Sequence, residues 1–345
     1  MKILGIESSC DETAAAIVEN GAKILSNVVV SQIDIHAEYG GVIPEIAARS
    51  HIEAINPVLH KTFADANLTI DDIDAIAVTH TPGLVGSLLA GTLAARTLAV
   101  LHDKPFYPTH HLKSHIYANW LSGFQPEFPL LAAVSSGGHT QIIYMERHDH
   151  FEIIGTTRDD AIGECFDKVA KILGLPYPGG PAIANAAKNG NPTKYHLPIP
   201  KVDGLDFSFS GIKTAVLRAV QKELNLPITT PSYELQKHLS EQQIADFAAS
   251  FQATAIDILI KKLKKATETH PAKSVLLAGG VSANQLLREE LKKHFEKTHK
   301  VYFPEPKFST DNGAMVASAA YFSIQSGEKA SDPYQLDISP RSVIR

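Results

Sequence analysis

Cysteine is nearly absent from the chain: Cys10 and Cys165 stand alone, far apart. Two isolated thiols exclude a disulfide framework and a thiolate metal cluster, and they fit a reducing compartment. Aromatic residues amount to 7% and charged residues to 20%, against 44% hydrophobic. That balance is of an ordinary globular protein rather than a fibrous, disordered or disulfide-built one. A strong excess of one charge is also missing. The formal net charge of −5 excludes a general nucleic-acid coat, although a local basic face still binds a polyanion. Lys261, Lys262, Lys264 and Lys265 offer one such face, with a solvated helix surface as the alternative. Long uninterrupted apolar runs are lacking as well. The stretch LVGSLLAGTLAARTLAVL, Leu84 to Leu101, is broken by Arg96 and rich in small residues, which predicts a packed helix rather than a membrane span. The start MKILGIESSCDET has one lysine and soon turns acidic, unlike a secretory leader. A cytoplasmic protein with no membrane partner is expected.

What is present is a repeat. At 345 residues two lobes are expected, because a single core seldom keeps growing at that length. Lys2 to Glu7 reads as a strand, SSCDET as a polar turn and AAAIVE as a second strand; Asn20-Gly21 then turns the chain into AKILSNVVVS. The same order returns as PLLAAVSS from Pro129, the turn GGHT, QIIYM, the turn ERHDH and FEIIGTT. Helical periodicity follows each copy, through Ile46, Ile52, Ile55, Leu59 and Phe63 and through Ile162, Phe166, Val169, Ile172 and Leu173; both stripes are predicted core faces. Later, DAIAVTH runs through TPGLVG into a helix, and SVLLAGG through VSAN into another. The expected organisation is a first lobe over 1–109 and a second over 110–325. The second carries a less regular insertion at about 175–240, and a polar tail over 326–345 is either loose or packed back on the first lobe.

Turns between strands that end in small residues let backbone N–H groups approach a phosphate. SSCDET and SSGGHT both qualify. One alone would be commonplace, but at equivalent points of a repeat they mark two phosphate loops, with LAGGVSAN as a glycine turn for a base or ribose. That pattern describes an α/β protein of the actin-like ATPase (ASKHA) fold: two related lobes with duplicated β-rich mixed sheets flanked by helices. Asp11 and Glu12 in the first loop then have two readings, proton transfer or metal support beside a phosphate or capping of local backbone.

In THHLKSHIYAN, His111 and His115 are four positions apart, so on a helix they share one face and can hold one ion. His110 points elsewhere, and Thr109 is the expected N-cap. The bland alternative is a polar helix start. Two histidines need a further ligand, and Asp311 in STDNGAM is either that ligand or an N-cap. The spacing matches the histidines of HExxH proteases, but Leu112 stands where their catalytic glutamate would be.

Across GIESSCDETAAAIVE, THTPGLVGSLLAG, HHLKSH, SSGGHT, GECFDKVAKILGLPYPGGP, DFSFSGIKT, LAGGVSAN and TDNGAM, Gly5 to Met315, the sequence strongly resembles the bacterial TsaD family. These are tRNA N6-adenosine threonylcarbamoyltransferases. The resemblance implies transfer of a threonylcarbamoyl group from threonylcarbamoyl-AMP to N6 of the adenosine just 3′ of the anticodon, position 37, in tRNAs reading codons that begin with A. It implies one divalent ion per subunit, iron or zinc, held by His111, His115 and Asp311. Val134, Ser135, Ser136, Gly137 and Gly138 would line the phosphate and substrate, and Asp167, Gly180 and Asn284 the nucleotide. Asp11 and Glu12 would stand close to the chemistry as catalytic groups. Implied partners are tRNA, an inactive paralogue and a small P-loop ATPase.

The sequence departs from the common family form at Ser8, Ser135 and Ala184. Ala184 stands where some relatives carry an aspartate that could touch the ribose, so it is left out of the expected site. Two rival readings remain. A nucleotide-dependent regulatory module explains the phosphate loops and leaves the histidines idle. A metalloprotease, a role once proposed for the family, rests on the histidine spacing and lacks its glutamate.

Overall fold

The computed structural model describes residues 1–335 and 337–341, and the chain divides into two compact units. The first comprises 1–128, 145–152 and 302–345, the second 129–144 and 153–301. In chain order the elements are β1 (Lys2–Glu7), β2 (Glu12–Glu19), β3 (Lys23–Ser31), α1 (Ile33–Ala37), α2 (Pro44–Ala66), β4 (Ala75–Thr81), α3 (Val85–Leu101), β5 (Phe106–His110) and α4 (His111–Leu121). There follow β6 (Leu130–Ser135), β7 (Thr140–Arg147), β8 (His150–Thr156), α5 (Ile162–Leu173), α6 (Gly179–Ala186), α7 (Ser210–Glu223), α8 (Ser232–Leu235) and α9 (Glu241–Thr269). The chain closes with β9 (Ser274–Ala278), α10 (Gln285–Phe295), β10 (Lys300–Tyr302), α11 (Pro306–Ser309) and α12 (Gly313–Gln325).

The repeat is visible in the sheets. One has the order β3-β2-β1-β4-β5, the other β10-β9-β6-β7-β8. Read from the far end, the second sheet is the first with each strand replaced by its counterpart five places later. In the first, β1 pairs antiparallel with β2 and parallel with β4, so the sheet is mixed; β6 likewise pairs parallel with β9. The turn after β2 places Asn20 and Gly21 at positive φ, 54° and 71°, as the Asn-Gly pair predicts.

Alternation along β1 builds a core on each side of the first sheet. Leu4 and Ile6 join Ile17, Val58, Ile76 and Ala95, on the side of α2 and α3. Ile3 joins Ala16, Ala118, Met315, Val316 and Ala320, on the side of α4 and α12. Strands covered on both faces read as continuous apolar runs. Helix α12 lies unusually near β1. A Cβ on Gly5 would come within 2.5 Å of the Ala317 nitrogen, and one on Gly313 within 2.5 Å of the Ala16 nitrogen. Neither contact is possible for a larger residue without moving the backbone.

Several expectations are refined. Ile52 is 67% exposed, so it leaves the predicted core stripe of α2, which Ile55, Val58 and Leu59 form instead. All five residues of the α5 stripe are buried. Helix α3 is two-sided: Leu88, Ala95 and Ala99 are buried, whereas Val85, Leu89, Leu93 and Leu101 are exposed. No helix among the described residues is long and apolar enough to cross a membrane. The insertion after residue 175 is more regular than its composition suggests, holding α6, α7 and α8. Residues 110–128 and 302–325, expected with the second lobe from the repeat alone, cluster with the first unit. Their helices α4 and α12 pack on each other and cover one face of the first sheet. Three of the four α9 lysines are tied down: Lys262 Nζ donates to the Val202 and Gly204 carbonyls, Lys265 Nζ to the Gly204 carbonyl, and Lys261 pairs with Asp257.

Candidate metal centre and substrate loops

Strand β5 ends at His110, and His110, rather than Thr109, takes the N-cap position of α4. His111 therefore opens the helix and His115 lies one turn further on the same side. The two Nε2 atoms are 3.2 Å apart. Asp311 completes the group, its Oδ1 lying 3.0 Å from His115 Nε2 and 3.7 Å from His111 Nε2. It stands one residue before Asn312, whose side chain accepts from Met315 N and caps α12. The cap is thus Asn312, leaving Asp311 free to point at the histidines.

A carboxylate that sequence reasoning missed supports this group. Glu7, fully buried at the end of β1, accepts from Ser9 N at 2.6 Å and from Thr79 Oγ1 at 2.6 Å, and faces His111 Nδ1 at 3.2 Å. Burial raises the Glu7 carboxyl, but the charge of His111 and its hydrogen bond hold it below the ordinary value. For His111, burial works downward and is outweighed by Asp311 and Glu7, so it titrates at about 9. Asp311 falls to about 2, because the two histidines outweigh its burial.

These atoms fit a bound ion. Ligands placed tetrahedrally at roughly 2.1 Å lie about 3.4 Å from one another, and the three separations here bracket that value. With its Nδ1–H given to Glu7, His111 keeps the Nε2 lone pair for a metal, the usual support for a ligating imidazole. His115 Nδ1 is buried and has no hydrogen-bond partner among the described residues. The two histidines are therefore unequal in support. Two imidazoles and one carboxylate form a donor set that suits zinc or iron(II) with positions left open.

Asp11 ends the β1–β2 loop and Glu12 opens β2. Glu12 is raised well above an ordinary carboxyl by burial, by the charges of Asp311 and Asp11, and by a hydrogen bond shared with Asp11; Ser31 Oγ donates to it at 3.2 Å.

In the second unit, Val134 and Ser135 end β6, and Ser136 N donates to the His139 carbonyl across a tight turn. A Cβ on Gly137 or Gly138 would meet nothing within 4 Å, so the backbone there is open to a ligand. Two glycines missed in the sequence reading press on this loop: a Cβ on Gly163 would stand 2.5 Å from the Ser136 carbonyl oxygen, and one on Gly279 2.5 Å from that of Ser135. Gly180 is open in the same sense as Gly137. Asp167 and Asn284 have structural tasks. Asp167 Oδ1 accepts from Gly179 N at 2.7 Å, while Asn284 caps α10 through Leu287 N and donates to Gln252. Asp159 anchors the DFSFSG motif, accepting from Ser208 Oγ, Phe209 N and Ser210 N at the start of α7. The expected signal for Glu7, a lone acid closing an apolar strand, was present in GIESS.

A duplicated mixed sheet with the same strand order in both copies, each with a hydroxyl-bearing turn after its first strand, is the actin-like ATPase fold. Solved structures of that shape include the activator of 2-hydroxyisocaproyl-CoA dehydratase from Clostridium difficile, with TM-score 0.52 at 13% identity, covering 96% of this chain and 100% of that one. HypF from T. kodakarensis gives TM-score 0.62 at 15% identity, covering 94% of this chain and 48% of that one. Within the class, the TsaD model, tRNA N6-adenosine threonylcarbamoyltransferase, matches residues 23–318. A protein of that description from Symbiobacterium thermophilum is 50% identical over 327 residues, 94% of this chain and 92% of its own. The chain belongs to the TsaD family of transferases.

Proposed function

We propose that this protein transfers the threonylcarbamoyl group of threonylcarbamoyl-AMP to N6 of the adenosine at position 37 in tRNAs reading codons that begin with A, and releases AMP. One iron or zinc ion held by His111, His115 and Asp311 assists. The observation that carries the reading is the convergence of three donor atoms 3.0 to 3.7 Å apart, backed by the buried Glu7. When bound, the ion supplies a Lewis acid for the carbamoyl oxygen or a hold on the threonyl group.

In the transfer, N6 attacks the carbamoyl carbon, the new C–N bond forms, and the bond from that carbon to the phosphate oxygen breaks. The electron pair leaves with AMP, and the amine proton must go to a base. Glu12, with Asp11 beside it, takes that proton in this reading; burial and the charges of Asp311 and Asp11 raise its carboxyl, which strengthens the carboxylate as a base. Backbone N–H groups at Gly137 and Gly138, unobstructed by side chains, take the adenylate phosphate. Val134, Ser135 and Ser136 shape that loop. Asp167, Gly180 and Asn284 border the nucleotide, with Asp167 and Asn284 acting through the helix starts they hold.

The same reading places the protein in the cytoplasm, working with an inactive paralogue and a P-loop ATPase. The exposed Val85, Leu89 and Leu93 of α3, with Ile52 of α2, support a protein partner on these helices. The test supplies purified protein with threonylcarbamoyl-AMP, tRNA and active accessory proteins. Nucleoside mass spectrometry is expected to detect threonylcarbamoyladenosine; no product under those conditions overturns the reading.

A further inference from the structure

The loop from β1 to β2 ends in Asp11, and Glu12 opens β2, where it pairs with Ser31. The turn before that pair is held by side chains from α2 and α3. His51, fully buried on α2, reaches the Cys10 carbonyl through Nε2 at 3.0 Å and Thr13 Oγ1 through Nδ1 at 2.7 Å. Ser87 on α3 donates to the same carbonyl at 3.1 Å, and Gln32 N donates to the Asp11 carbonyl at 3.0 Å.

The Cys10 carbonyl can only accept, so His51 carries its proton on Nε2 and offers Nδ1 to the Thr13 hydroxyl. Burial also holds this imidazole below its ordinary pKa, which keeps it neutral and its two nitrogens distinct. One rigid ring thus ties residue 10 to residue 13, and Asp11 and Glu12 lie between the tied points. The ring touches none of the three metal-site residues. Those depend on a separate support, Glu7, so loss of His51 and loss of the ion are separable events.

We infer that His51 is a positioning residue for the Asp11–Glu12 pair, bridging the Cys10 carbonyl and the Thr13 hydroxyl and so fixing where the two carboxylates stand. The inference rests on the reading above in which that pair receives the N6 proton. A carboxylate displaced by about 1 Å from its proton loses on the order of a hundredfold in rate, with little effect on how tightly tRNA binds.

The test uses the full chain with its accessory proteins, threonylcarbamoyl-AMP and tRNA. His51→Ala is expected to lower kcat about tenfold to a hundredfold, leaving KM for tRNA and bound metal per chain unchanged. His51→Gln keeps one donor and one acceptor in its amide and is expected to recover most of the rate. Because His51 acts through the pair, Glu12→Gln combined with His51→Ala should be no slower than Glu12→Gln alone. Wild-type kcat in folded His51→Ala, or losses that multiply in the double variant, overturns the inference. If His51→Ala does not fold, Thr13→Val, which deletes only the hydroxyl, takes its place with the same expectations and refutations. Wild-type kcat in Glu12→Gln instead refutes the underlying assignment, whereas a slow Glu12→Gln beside a fast His51→Ala refutes only the role of His51.

Discussion

Replacing Glu7 by Gln keeps the size of the side chain and removes its charge, leaving His111 Nδ1 facing a neutral partner. Two opposing effects on metal affinity follow. Loss of a charged support behind a ligating histidine weakens binding about tenfold to a hundredfold, or roughly 1.4 to 2.8 kcal/mol. Against this, an ion must displace the His111 proton. With His111 at about 9, that competition weakens binding at pH 7 by about two orders of magnitude. Glu7 is one of the two carboxylates that raise His111, the other being Asp311, so the variant relieves part of the competition. At pH 7 the effects partly cancel; at pH 9 about half of His111 is still protonated, the competition costs only about twofold, and the lost support is felt almost in full. Glu7→Gln is therefore expected to bind metal only a few-fold more weakly than wild type at pH 7 and about tenfold or more weakly at pH 9. Titration of metal-free protein with zinc against a chromophoric chelator at both pH values measures this, with thermal melting to verify the fold. Wild-type affinity at pH 9 in a folded variant refutes the support assigned to Glu7.

The double variant His111→Ala, His115→Ala should lose its bound ion by elemental analysis while still melting cooperatively. Asp159→Ala removes the acceptor at the start of α7 and should cost about 0.5–2 kcal/mol in denaturant unfolding. The folded-state pKa of Asp159 is lowered, its burial outweighed by hydrogen bonds from Ser208, Phe209 and Ser210, so its contribution is present above about pH 4 and fades as pH falls through the folded value. The variant's stability should consequently fall less steeply on the acid side. Gly313→Ala should lower stability by about 1–3 kcal/mol, because its methyl group collides with β2. Leu89→Glu with Leu93→Glu should leave stability within about 0.5 kcal/mol and abolish co-elution with the paralogous partner; intact co-elution removes α3 from that interface.

The sheets were legible because strand, turn and strand recur with their own local signals, and Asn20-Gly21 needs no distant partner to turn the chain. The stripe through Ile162 and Leu173 was legible for the same reason. Ile52 was not, since periodicity gives the spacing of a face without its width; it lies at the edge of the stripe and points outward. Glu7 was missed because its meaning comes from Thr79 and His111, 72 and 104 positions away. His51 was hidden among other polar residues of α2 until Cys10 and Thr13 came beside it. The choice between ligand and cap at Asp311 turned on its neighbour Asn312, whose amide took the cap. Asp167 and Asn284 show the reverse limit: motifs named them, but only coordinates reveal the helix starts they hold.

The missing side chains at Gly5 and Gly313 bear on how far Asp311 can move. Asp311 sits two residues before Gly313, so the reach of its carboxylate is set by a backbone that already touches the first sheet. Such a site has little give. Any ligand that needed Asp311 to move would have to shift α12 against β1 inside a packed core. The reach of a donor is thus limited by the crossing of a strand and a helix, at residues that carry no donor atoms of their own.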